Sequence, residues 1–135
     1  KFVFGFNWRN FKSLEASFNK APSENFTISM VKDYFGIEGL TSVDTARLNT
    51  FLDDVSLLTV DEYVPEPGLA DSLLQLKPDF QVRVTDVANR VYSLRLFNST
   101  RSSGVFGVIQ DQDAALFDPE KIQRLLKPKS FFRKK

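Results

Sequence analysis

The sequence predicts an α+β fold: an antiparallel sheet with two main helices and one short helix packed on it. Three observations predict it. Short stretches such as Phe26–Val31 and Phe80–Val84 alternate apolar and polar residues, the period of a half-buried strand. Brief turn signals at Lys32-Asp33, Asp86–Asn89 and Asp111–Asp113 join such stretches into hairpins. Thr41–Val64 places Leu48, Phe51, Leu52, Val55 and Leu58 on one helical face and then runs on as an extended segment.

In chain order, Lys1–Trp8 alternates Phe2, Phe4, Phe6 and Trp8, which predicts a first strand. Arg9–Ser23 gives no single period. Its Phe11, Leu14 and Phe18 have the spacing of a short helix that Pro22 ends. Phe26–Val31 and Tyr34–Gly39 form a hairpin, with Gly36 marking a bulge or a close backbone approach. Thr41 is the expected cap of the main helix, with Asp44 three positions on. Thr59–Val64 leaves the helix as a strand. Pro65, Pro67 and Gly68 break the chain, and Leu69–Leu76 is the short helix. Phe80–Val84 and Val91–Phe97 are strands, with Val91, Leu94 and Leu96 assigned to the core. Asn98–Gly104 is a polar loop. Val105–Gln110 and Ala114–Phe117 pair next, Asp118 caps the last helix, and Pro119 takes its first position. Ser130-Phe131-Phe132 is expected to fold back onto the body, because two adjacent free Phe would otherwise be exposed.

These elements make one domain over residues 1–135, since 135 residues bury one core but not two. Within it, 1–25 is an N-terminal strand and irregular segment, and 26–64 a hairpin–helix–strand unit. Residues 65–79 are a linker with the short helix; 80–135 holds the remaining hairpins, the C-terminal helix and a basic tail. Strand, turn, strand and capped helix follow one another in both Phe26–Leu52 and Val105–Leu126, so a duplicated hairpin–helix unit is expected.

Composition narrows the chemistry. The chain has no Cys and no His, which removes disulfides, thiol nucleophiles, zinc sites built on sulfur or imidazole, and the Ser-His-Asp triad. Net charge is +1, but Pro119–Lys135 carries seven Lys and Arg against Glu120 alone. Such a tail suits nucleic acid or an anionic membrane; the reading adopted is a solvated terminus with no nucleic-acid partner. Asp53, Asp54, Asp61, Glu62 and Glu66 form an acidic stretch, and Asp111 and Asp113 have a chelating spacing. Paired acids serve acid–base chemistry or Ca²⁺. Adjacent helical residues diverge by about 100°, however, and no EF-hand ligand run follows Asp113. Ser17/Lys20 and Ser29/Lys32 match a Ser–Lys spacing without its companion motifs. Asn25 and Asn98 open formal glycosylation sequons. No catalytic, cofactor or metal residues are assigned. The expected contact surface is Asn98, Ser99, Thr100, Arg101, Ser102 and Ser103, together with exposed strand edges.

The series FTISMVKDYFGIEG, TSVDTARLNTFLDDVSLLTVDEYV, FQVRVTDVANRVYSLRLF and VFGVIQDQDAALFDPEKIQRLL, closed by SFFR, resembles a bacterial family of uncharacterised extracytoplasmic domains. The resemblance covers about residues 26–133 and rests on hydrophobic pattern; 1–25 is longer than that pattern. It implies a periplasmic or cell-surface location, tethered by a membrane anchor N-terminal to Lys1. It also implies an accessory, non-catalytic role beside a protein partner in a membrane complex, for instance an ABC-type transporter of the gliding-motility kind. Two other functions are weighed. A glycan- or lipid-binding module needs an aromatic platform, for which Trp8, Tyr34 and Tyr63 are the candidates, or a lined pocket. A carboxylate-dependent hydrolase needs two converging acids.

Overall fold

The computed structural model describes all residues, Lys1–Lys135. Eight strands form one antiparallel sheet: β1 Phe11–Phe18, β2 Phe26–Val31, β3 Tyr34–Ile37, β4 Glu62–Tyr63, β5 Phe80–Asp86, β6 Val91–Phe97, β7 Val105–Ile109 and β8 Asp113–Phe117. Their order is β3-β2-β1-β5-β6-β7-β8-β4, so β3 and β4 are the two edges. The helices are α1 Thr45–Ser56, α2 Leu69–Leu74 and α3 Pro119–Gln123. The α+β architecture therefore holds, dominated by the sheet, but with one main helix and not two: α1 has 12 residues, whereas α2 has 6 and α3 has 5.

Alternation decides the two faces. Leu14, Ala16, Phe26, Ile28, Phe80, Val82, Val84, Leu94 and Leu96 point to one side and are buried. Leu48, Phe51 and Val55 of α1, Ile122 of α3 and Leu125 just beyond it fill that side. The opposite face carries Ser13, Glu15, Thr27, Gln81 and Arg83 over β1, β2 and β5 and faces solvent, wholly or in part. Farther along, α2 packs against β7 and β8. A sheet with one packed and one largely wet face produces the alternation seen in β2 and β5.

The N-terminal segment departs from expectation. Lys1–Trp8 is not a strand. Val3 and Phe4 are both buried, and the segment forms no ladder: only Phe2 makes a bridge, to Thr59. The spacing of its aromatics serves stacking instead. Phe6 stacks on Tyr92 at 4.8 Å, Trp8 stacks on Phe11 at 5.4 Å, and Phe11 meets Phe35 edge-on at 5.4 Å. The segment with helix-like spacing is the strand, β1. Its register against β5 steps from Phe11↔Asp86 to Ser13↔Thr85, so Lys12 is an extra residue. This bulge puts Phe11 and Leu14, three apart, in the same core.

Smaller corrections have similar causes. The cap of α1 is Asp44, not Thr41: its carboxylate accepts the Arg47 N–H at 3.1 Å. The strand expected over Thr59–Val64 shortens to Glu62–Tyr63, paired with β8. Val91 is exposed, since it sits at the tip of the β5–β6 hairpin. Leu76 lies beyond the end of α2 and is also exposed. Gly36 marks no bulge: β2 and β3 pair without a break, and a Cβ there would lie 3.1 Å from the Val31 side chain. Lys32, first residue of that hairpin's two-residue loop, adopts φ 58°, the left-handed backbone such turns require.

The C-terminus closes the domain. Phe132 is fully buried and meets Phe26 of β2 at 4.9 Å and Phe51 of α1 at 5.3 Å. Around it, the Asp44 N–H donates to the Phe132 carbonyl at 2.8 Å, and the Lys134 N–H to the Ser42 carbonyl at 3.2 Å. The Arg47 guanidinium donates to the Phe131 carbonyl at 2.9 Å and lies over the Phe131 ring. Replacing Phe132 by Ala should cost about 3–5 kcal/mol of stability, the usual loss for a large buried aromatic. Tyr34→Ala, on an exposed ring, should stay within about 0.5 kcal/mol. Urea unfolding of both variants checks the contrast.

Candidate functional site

The polar loop after β6 is less free than its composition suggests. Asn98, Thr100, Arg101, Ser102 and Ser103 are exposed, but Ser99 is 3% exposed. Its N–H donates to Asp79 Oδ2 at 2.9 Å, and its hydroxyl donates to the same oxygen. Asp79 thereby pins the loop to the start of β5. Asn98, at φ 54°, turns the chain out of β6, and its carbonyl accepts the Arg101 N–H. Five of the six expected contact residues are thus displayed, and Ser99 supports them from beneath.

The acidic residues are dispersed. Asp53 and Asp54 lie on α1, Glu62 on β4, and Asp111 and Asp113 at the β7–β8 turn. Asp61 accepts from Lys121 Nζ at 2.8 Å and from the Asp118 N–H at 2.7 Å. Burial pushes its carboxyl up, but these donors outweigh it and hold the group below the ordinary carboxylate range. Asp111 accepts from Arg95 Nε at 2.8 Å. No three acids come together in a way that would hold a metal ion.

One buried carboxylate escaped the sequence reading. Asp86, at the end of β5, is fully buried. Its Oδ1 accepts the Ala88 and Arg90 N–H groups at 2.9 Å each; its Oδ2 accepts Arg90 Nε at 2.8 Å and the Tyr92 hydroxyl at 3.1 Å. Burial raises the carboxyl, but hydrogen bonds from the Arg90 backbone and side chain, Tyr92 and Ala88 prevail, and the group titrates below its usual range. Burial, followed by the hydrogen bond to Asp86, pushes the Tyr92 hydroxyl up. With every lone pair committed, Asp86 closes a turn. The signal for it in the sequence was the spacing Asp86, Ala88, Arg90, typical of an Asx-type turn rather than a plain polar loop.

The three candidate aromatics lie on separate elements. Tyr34 is on β3, Tyr63 on β4 at the other edge, and Trp8 is half-buried against Phe6 and Phe11. A different surface collects more of what binding requires. At the β3 edge the hairpin tip exposes Met30, Val31 and Tyr34. Beside it runs an open groove of about 440 Å³, lined by Trp8, Phe11 and Phe35 on one side and by Asn49, Leu52, Asp53 and Ser56 of α1 on the other. The Glu38 N–H donates to Thr27 O. Antiparallel pairs alternate, so Gly36 and Tyr34 face β2, while Phe35 turns its backbone groups to the open edge; beyond it Ile37 is buried, and its carbonyl accepts the Leu40 N–H at 3.1 Å.

Replacing Asp86 by Asn separates its charge from its shape. A carboxyl depressed in the folded state stabilises that state above its unfolded pKa of about 3.9 and stops doing so as pH falls through the lower folded value. The gap in Tm between the wild type and Asp86→Asn should therefore be wide at pH 7 and narrow towards pH 3. A gap independent of pH would contradict the assignment.

Comparison of the chain with protein-family models, with curated proteins and with solved structures finds no match.

Proposed function

We propose that this domain is a non-catalytic protein-interaction module that takes an extended segment of its partner along β3. One observation carries the reading: an unpaired strand edge lies directly beside an open aromatic groove. An added strand finds the outward-facing backbone groups of Phe35 for its main chain. Alternate side chains on its core-facing side then enter the groove between Phe35 and Leu52. The partner segment this favours is apolar at alternate positions, with a Lys or Arg to meet Asp53 at the rim. Natural edges are usually shielded by charge, proline or a covering element; here Lys32 and Asp33 put charge only at the turn, and Met30, Val31 and Tyr34 beside it are exposed.

Our reading of the setting follows the family resemblance: an extracytoplasmic domain tethered to the membrane, an accessory to a transport complex. No helix here is long and apolar enough to cross a membrane, so we assign tethering to another part of the protein. We also read the two hairpin–helix runs as copies of one unit. In support, α1 and α3 each follow a hairpin and each carry an Asp cap, Asp44 and Asp118. We do not favour a hydrolase, because Asp61 and Asp111 already serve Lys121 and Arg95.

Selection from a library of extended heptapeptides tests the proposal. Binders should carry alternating apolar residues and at least one cation. Leu52→Glu and Phe35→Lys should each weaken them by about tenfold or more, about 1.4 kcal/mol, whereas Arg101→Ala should leave affinity unchanged. Binders that ignore the two edge variants and respond to Arg101 would move the interaction to the Asn98–Ser103 loop.

A further inference from the structure

A second groove, larger than the one beside β3, opens at the opposite end of β1. It measures about 720 Å³. Phe18 and Phe80, paired across β1 and β5, line it together with Phe97, Leu76 and Leu126. Those five side chains come from β1, the linker after α2, β5, β6 and the segment after α3, so the groove lies where several elements end. Lys20 and Lys77 also line it and are exposed; one follows β1 and the other precedes β5, its neighbour in the sheet. Asn98 and Thr100 complete a polar rim.

We propose that this groove binds a single-chain anionic amphiphile, a carboxylate or phosphate head on an alkyl tail. The volume is that of an ordinary small-molecule site, and its apolar lining suits a tail. Two ammonium groups at the mouth suit an anionic head, which they hold as point charges on flexible stems. Asp79, the acid among the lining residues, is turned to another task. Its Oδ2 accepts both Ser99 donors, and its Oδ1 is sealed from solvent, so neither oxygen is aimed at a ligand head. The site explains why the loop is pinned: Ser99 anchors it and thereby fixes Asn98 and Thr100 at the rim. This site is independent of the β3 edge, and either reading stands without the other.

The probe is dodecyl phosphate below its micelle concentration, followed by calorimetry and by backbone amide shifts. Saturable one-to-one binding is expected, with shifts at Lys20, Leu76, Lys77 and Thr100. Dodecyltrimethylammonium, dodecanol and inorganic phosphate should each bind at least tenfold more weakly. Combining Lys20→Glu with Lys77→Glu should weaken dodecyl phosphate by tenfold or more. Both residues are on the surface, so the fold should survive, which unfolding curves verify. Ala21→Trp, at an exposed lining position, should block the groove. Equal binding of dodecanol would overturn the role of the lysines. Shifts elsewhere, no saturable binding, or binding only to vesicles of anionic phospholipid would overturn the site.

Discussion

The domain depends on one contact, the meeting of Phe26, Phe51 and Phe132. These rings come from the sheet, the main helix and the C-terminal segment, and their centroids lie 4.9–5.6 Å apart. Tilted and edge-on aromatic pairs at such distances gain from ring electrostatics as well as from buried area. A twelve-residue helix such as α1 is marginal by itself in water. It is held because its apolar stripe has a sheet below it and Phe132 beside it. The sheet needs the same cover, because seven of its strands, all but β4, contribute apolar residues to the core.

This contact also alters the meaning of the basic tail. By charge alone, Lys127–Lys135 looks like an arm for an anionic partner. In the fold, much of it is occupied. Phe132 is in the core, Arg133 bridges Val43, and Lys127 and Arg47 both lie over the Phe131 ring. Ser130 reaches Glu24 through its N–H and its hydroxyl. The cations surround an apolar anchor, and the segment that carries them ties α1 to the sheet. By contrast, the far side of β3 carries no further strand, and it is there that we place the partner.

Where the sequence was legible, the cause was periodicity imposed by a one-sided sheet. Phe26–Val31 and Phe80–Val84 are recognisable because alternate residues go to the core; Val105–Ile109, buried almost throughout, shows instead as an apolar run between turns. Asp118-Pro119 was recognisable because a cap and a fixed φ leave a local signature. The failures came where other constraints wrote the pattern. Phe6 and Trp8 are spaced to stack on Tyr92 and Phe11, while Phe4 enters the core. The bulge at Lys12 gave β1 a helical spacing. The partners of Asp79 and Asp86 became visible only with the chain folded, although the turn spacing after Asp86 was present in the sequence. Neither groove was legible, since each is assembled from residues far apart in the chain.

Strand addition at β3 is tested most directly by amide hydrogen exchange with and without a selected peptide. In the free domain, the Phe35 amide should exchange quickly, while Val82, Val84 and Leu94, in the middle of the sheet, should be protected. On binding, Phe35 should become protected as it enters a new ladder. Unchanged exchange at that amide, with protection gained at another surface, would contradict strand addition at β3.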